Sequence, residues 1–356
     1  MIRNKPAYSF DDVLLVPQHS KITSRQDTDL STSVGRNLRL TLPILSSNMD
    51  TVTEVEMAMA MADSGGGGVL HRFASQEDQA LWLQNLRSSA MNPRIISVGL
   101  EGNEKREVFD DIVHLVGEYG VDAICLDVAH GDHVKVLEML NGLRFEFPAV
   151  DIIAGNVATG RAACRLVDAG ANVIKVGIGP GSVCSTRVVS GHGFPQLSAI
   201  IEVDQELRLA GRREGDINQV SVIADGGIRY PGDIVKALAA GADAVMLGSL
   251  LAGTDEAAGD RIVEDGIAFK TFRGMASREA QTQKRAGRTP RVEGVAARIP
   301  YRGPVRDTLA NLEAGIRSGL SYSGSRTLSE LRDAAEFVVV TGNTLKESHP
   351  HHPYRL

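Results

Sequence analysis

The sequence predicts an α/β protein, a (β/α)8 TIM barrel, and three observations carry the prediction. First, eight short β-rich runs recur at 43–46, 67–70, 95–98, 123–126, 152–154, 173–176, 222–224 and 244–247. Second, amphipathic segments separate them, at 54–62, 76–86, 110–119, 134–143, 161–169, 195–209 and 231–240, and a helix between successive strands makes those strands parallel. Third, polar and glycine-rich residues gather just after the strands, the end at which such barrels build their sites. A doubly wound open sheet is the competitor, yet no Gly-x-Gly-x-x-Gly opens a helix near the first strand. The turn Ala169-Gly170-Ala171-Asn172-Val173 is echoed at Ala240-Gly241-Ala242-Asp243-Ala244, as repeated helix-to-strand turns require. From about residue 253 the rhythm lapses. A polar, Arg-rich stretch over 277–298 precedes a last helix near 307–318. The expected organisation is one barrel domain over 1–356, a mobile active-site flap at 276–298 and a flexible tail at 344–356.

Composition narrows the function. The chain has 356 residues, 43% of them hydrophobic, enough for a large core. A formal net charge of −6 disfavours a nucleic-acid partner, since phosphate-backbone binding needs clustered cations. The start, Met-Ile-Arg-Asn-Lys-Pro, is no signal region, and no apolar run of about eighteen residues occurs, so no membrane association is expected. Cys125, Cys164 and Cys184 match no metal spacing and cannot all pair, which favours reduced thiols in the cytoplasm. His349, His351 and His352 cluster like metal ligands, but the prolines among them point to a mobile tail.

Three loops look built for an anion. In Gly-Ile-Gly-Pro-Gly-Ser-Val-Cys-Ser-Thr-Arg, residues 177–187, glycines 177, 179 and 181 let backbone N–H groups approach a ligand, and Ser182 adds a hydroxyl. A tight βα turn is the bland reading. Asp225-Gly226-Gly227 and Gly248-Ser249 follow the seventh and eighth strands, where barrels often bind phosphate. Asp225 then suits two ribose hydroxyls, or it merely caps a helix. Backbone that binds anions also favours a thiolate, so Cys184 stands apart from Cys125 and Cys164, which read as packing residues.

These segments, with Asn48-Met49-Asp50-Thr51-Val52, Ala154-Gly155-Asn156-Val157, Ala224-Asp225-Gly226-Gly227-Ile228-Arg229 and Arg273-Gly274-Met275, resemble the IMP dehydrogenase and GMP reductase family over nearly the whole chain. The resemblance implies an oxidoreductase barrel, usually a homotetramer, that binds a purine nucleoside monophosphate and attacks purine C2 with Cys184 to form a thioimidate. It further implies Thr186 and Glu293 as a proton-transfer pair, Ser182, Gly226, Gly227, Gly248 and Ser249 as the phosphate cradle, and Met275, Ala276 and Ser277 around the base. Arg72, Asp127 and Asn156 fall on the cofactor side, and carbonyls of Gly177, Gly179 and Cys184 suit a monovalent cation such as K+. The bland alternatives are a capping hydroxyl at Thr186, a solvated charge at Glu293 and structural polar groups at Arg72 and Asp127.

Family members run one of two chemistries, and several cues favour the reductase. The stretch 275–293 lacks the Arg-Tyr pair that activates water in dehydrogenases, and Phe272 stands where they usually place a phosphate-binding tyrosine. The segments 48–50, 127–129 and 195–199 are similar to reductases. His71-Arg72-Phe73 runs on with no inserted regulatory domain. The expectation is therefore GMP reductase, turning GMP into IMP and ammonia with NADPH, and the alternative is an IMP dehydrogenase without the regulatory domain, using NAD to make XMP. Glu347-Ser348-His349, similar to a dehydrogenase tail, and Arg72 in place of the lysine of many members count against the reductase. A flavin barrel enzyme would have no need of Cys184, and a silent binding protein no need of Cys184, Thr186 and Glu293 together.

Overall fold

A computed structural model describes residues 2–89, 91–100, 105–213, 219–280 and 292–348. Eight parallel strands close into a barrel: β1 (Ile44–Ser46), β2 (Gly67–Leu70), β3 (Arg94–Val98), β4 (Ala123–Asp127), β5 (Asp151–Val157), β6 (Val173–Val176), β7 (Ser221–Asp225) and β8 (Ala244–Leu247). All eight predicted runs fall on these strands. Most of their residues are buried on both faces, as expected of strands lined by side chains inside and helices outside. Helices α1 (Val55–Asp63), α2 (Gln76–Ser88), α3 (Lys105–Tyr119), α4 (Val134–Glu146), α5 (Gly160–Asp168), α6 (Gln196–Leu209), α7 (Pro231–Ala239) and α8 (Val305–Tyr322) surround them. Local chemistry sets their starts: the Ser75 hydroxyl accepts from Asp78 N at 3.0 Å ahead of α2, and Pro231 opens α7. The echoed turns have one cause, since Gly170 and Gly241 both adopt φ +115, where a side chain would also strike Arg144 or Asp204.

The N-terminal end of the barrel is plugged. A hairpin, Thr32–Val34 paired with Leu38–Leu40, sends Val34, Leu38 and Leu40 into the same buried cluster as Leu45, Val69, Ile95, Cys125 and Ile223. Its turn donates Arg36 N and Asn37 N to the Asp151 carboxylate at 2.9 and 2.7 Å.

The stretch after β8 is more ordered than expected. Arg261–Glu264, Ile267–Arg273 and Ala296–Pro300 form a three-stranded antiparallel sheet, so 296–298 of the expected flap belong to a paired strand. Asp265 and Gly266 join the first two strands with both φ values positive, a primed turn that Asp-Gly favours. Of the expected tail, Thr344–Glu347 forms a helical turn, while 349–356, with their histidines, lie outside the described residues. Only five residues separate β2 from α2, leaving no room for an inserted domain there. Among the described residues no helix is long and apolar enough to cross a membrane, and no group of three His, Cys, Asp or Glu is placed to hold a metal.

Candidate active site

At the C-terminal ends of the strands a cavity of about 800 Å3 opens. Cys184, Thr186 and Glu293, the loop residues Gly226, Gly227, Gly248 and Ser249, Ser182, Asp225, Met275 and Ala276, and Arg72, Asp127 and Asn156 all line it. Ser277 does not. It is fully buried, its N–H donates to Gly274 O and its hydroxyl accepts from Ala280 N at 3.2 Å, so it shapes the turn below the cavity. The Ala276 carbonyl is likewise engaged, by Glu293 N at 3.0 Å. Met275 and Ala276 therefore face the cavity directly, and Ser277 lies behind them.

The cysteine loop and the far root of the flap are zipped together. Ser185 N donates to Glu293 O and Val295 N to Val183 O, each at 3.0 Å, and Cys184 bridges Gly294. These bonds bring Glu293 to Thr186 although 107 residues separate them in sequence. The Cys184 thiol donates to Thr186 Oγ1 at 3.2 Å, and that hydroxyl donates to Glu293 Oε2 at 2.8 Å. A proton path thus runs from an exposed sulfur to a half-buried carboxylate. Cys125 is fully buried instead; burial pushes its thiol up to about 12, against the opposing pull of Lys175.

The end of β7 is tied down by side-chain bonds. Asp225 ends β7, and its Oδ2 accepts from Asn156 Nδ2 at 2.9 Å and from Lys175 Nζ at 3.0 Å. Asn156 sits in a register shift between Gly155 and Val157, and its amide also donates to Gly177 O at 2.7 Å. Its amide therefore holds Asp225 and the start of the cysteine loop together. Gly226 and Gly227 both take positive φ against Pro180, which brings two of the three expected anion loops together. Phe272 is buried behind Gly248 and offers no hydroxyl to a phosphate.

On the other side, Arg72 Nε donates to Asp127 Oδ2 at 3.1 Å, and the Arg72 guanidinium lies 5.0 Å from the Phe73 ring centroid. Burial by itself would raise the Asp127 carboxyl, but Arg72, Lys175 and a hydrogen bond from Asn48 outweigh it and hold it below the usual range. Two contributors escaped the sequence reading. Gln196 Nε2 donates to Val176 O at 2.8 Å and Asp225 O at 3.1 Å, tying the ends of β6 and β7. Lys175 is the other, and its signal was present: a lysine inside the otherwise apolar run Val-Ile-Lys-Val.

A family model described as the IMP dehydrogenase / GMP reductase domain matches residues 7–351. The inosine-5'-monophosphate dehydrogenase of Halalkalibacterium halodurans is 34% identical over 479 residues, covering 98% of this chain and 96% of that protein. The enzymes of the same name from Borreliella burgdorferi, 34% identical over 406 residues, and Methanocaldococcus jannaschii, 35% over 488, cover 99% of this chain and 98% and 96% of their own lengths. The first and third alignments are far longer than this chain, so those relatives carry sequence it lacks. These names overturn the expectation of a GMP reductase and give NADPH no support. The cues for the reductase were local: Phe272, the missing Arg-Tyr pair, the short segments 48–50, 127–129 and 195–199, and the missing inserted domain. The alignments with dehydrogenases span 98–99% of the chain.

Proposed function

The chain belongs to the IMP dehydrogenase / GMP reductase family of oxidoreductases, and from that premise we propose that it oxidises IMP to XMP with NAD. The observation that carries the reading is the relay Cys184–Thr186–Glu293 at the edge of a cavity lined by Gly226, Gly227, Gly248 and Ser249. Cys184 Sγ bonds to C2 of the purine while its proton passes through Thr186 toward Glu293. Once C2 has lost its hydride, sulfur holds the carbon as a thioimidate. Glu293, half-buried, returns its proton to solvent and is a carboxylate again. Through Thr186 it then takes a proton from a water molecule whose oxygen bonds to C2. The C2–S bond breaks, the proton on Glu293 passes back through Thr186 to the sulfur, and the Cys184 thiol is regenerated as XMP leaves. In a chain with no Arg-Tyr pair over 275–293, this relay supplies the base.

The groove beyond Cys184 suits a nicotinamide. Phe73 and Leu100 offer apolar surface, while Arg72 and Asp127 present charged ends to the same space. The cavity volume falls in the usual range for a site of this kind. When bound, the nicotinamide ring supplies the hydride acceptor. Gly177 and Gly179 offer the carbonyl oxygens that a K+ ion bracing the loop would need. The Gly177 oxygen keeps a lone pair after accepting from Asn156.

Incubation with IMP and NAD, followed by the absorbance of reduced cofactor and chromatography of the product, tests the reading. NADH and XMP are expected, and Cys184→Ala is expected to lower turnover by on the order of 10^3-fold or more. Consumption of NADPH with GMP, with no reaction from IMP and NAD, overturns it.

A further inference from the structure

Lys175 is the most deeply buried charged group lining the cavity, with 4% of its side chain exposed. The relay makes no use of it. Its register explains its reach: Asp127 pairs with Gly155 across β4 and β5, and Gly155 with Lys175 across β5 and β6. The middle member has no side chain, and a Cβ there would lie 2.8 Å from the Lys175 Cβ. The lysine therefore crosses the glycine into the space between two carboxylates. Its ammonium lies 3.0 Å from Asp225 Oδ2 and 3.9 Å from Asp127 Oδ1.

The geometry points to Lys175 as a positioning residue that sets the ribose selectivity of the nucleotide site, by fixing which oxygen of Asp225 faces the sugar. Lys175 and Asn156 both hold Oδ2, while Oδ1 has no donor among the described residues. Oδ1 is thus left as the acceptor for ribose hydroxyls. Without the ammonium, Asp225 and Asp127 become two partly buried like charges with nothing between them, and Asp225 turns away. This inference rests on the nucleotide reading above.

Calorimetric titration of the whole protein with IMP and with 2'-deoxy-IMP tests it without relying on turnover. The unchanged protein is expected to favour the ribonucleotide. In K175M that preference is expected to shrink by about tenfold, the worth of one charge-assisted hydrogen bond. A purely structural role would weaken both ligands alike and leave their ratio in place. Should K175M fail to fold, D127N and K175M/D127N are compared instead, where the bond from Lys175 to Asp225 Oδ2 is again the one lost. A variant that keeps the full preference overturns the inference, as does an unchanged protein that binds both ligands equally. An unchanged protein that binds neither overturns the reading of the site, and the inference with it.

Discussion

The two ends of the barrel treat their aspartates in opposite ways. At the N-terminal end both oxygens of Asp151 have donors, Oδ1 from Arg36 N and the Asn172 amide and Oδ2 from Asn37 N. Asp243 is likewise engaged on both: Arg213 and Val222 N meet Oδ2 at 2.5 and 2.7 Å, and Arg332 meets Oδ1 at 2.7 Å. At the C-terminal end Asp225, among the described residues, receives its donors on one oxygen alone. A carboxylate with donors on both oxygens holds strands together, and one with an oxygen left open is poised for a ligand.

Three variants or titrations sharpen that contrast. The largest effect is expected from Asp243→Ala, which leaves the buried Arg213 guanidinium short of a partner. Loss of one member of such a pair costs about 3–5 kcal/mol, read as a lowered urea midpoint, with turnover per folded molecule unchanged. Asp225→Asn should do the reverse. The melting temperature stays nearly constant while kcat/KM for IMP falls by about 100-fold, roughly 2.7 kcal/mol of transition-state binding. The smallest effect is the acid limb of stability. Asp127 and Asp243 are both held below the usual carboxylate range, in each case because cations and hydrogen bonds outweigh burial. Their contribution is complete above the unfolded value near 4 and is lost as pH falls through the lower folded value. Urea melts between pH 7 and 3 are expected to show that slope, and Asp243→Asn to flatten it. Equal effects of Asp243→Ala and Asp225→Asn on stability would erase the distinction between the ends.

The barrel itself was legible because each strand is a short apolar run and each helix carries an amphipathic face, both local signals. The sheet over 261–300 was overlooked, although Asp265-Gly266 between Arg261-Ile-Val-Glu and Ile267-Ala-Phe-Lys is a readable hairpin. The glycine loops and Cys184 were visible as a motif. The position of Glu293 was carried by resemblance alone, since what places it is a set of main-chain bonds to residues 183–185 that no side-chain pattern encodes. Lys175 was hidden for a related reason: its role depends on Gly155 in the neighbouring strand, and register is a property of the folded sheet. The preference for reductase chemistry failed because it weighed local cues.

The zipper between residues 183–185 and 293–295 bears on how this enzyme could be re-engineered. Because main-chain groups rather than side chains seat Glu293 beside Cys184, a chimera that takes a relative's sequence between Ala280 and Val292 is expected to keep the two together, and a change in its turnover reports on the graft.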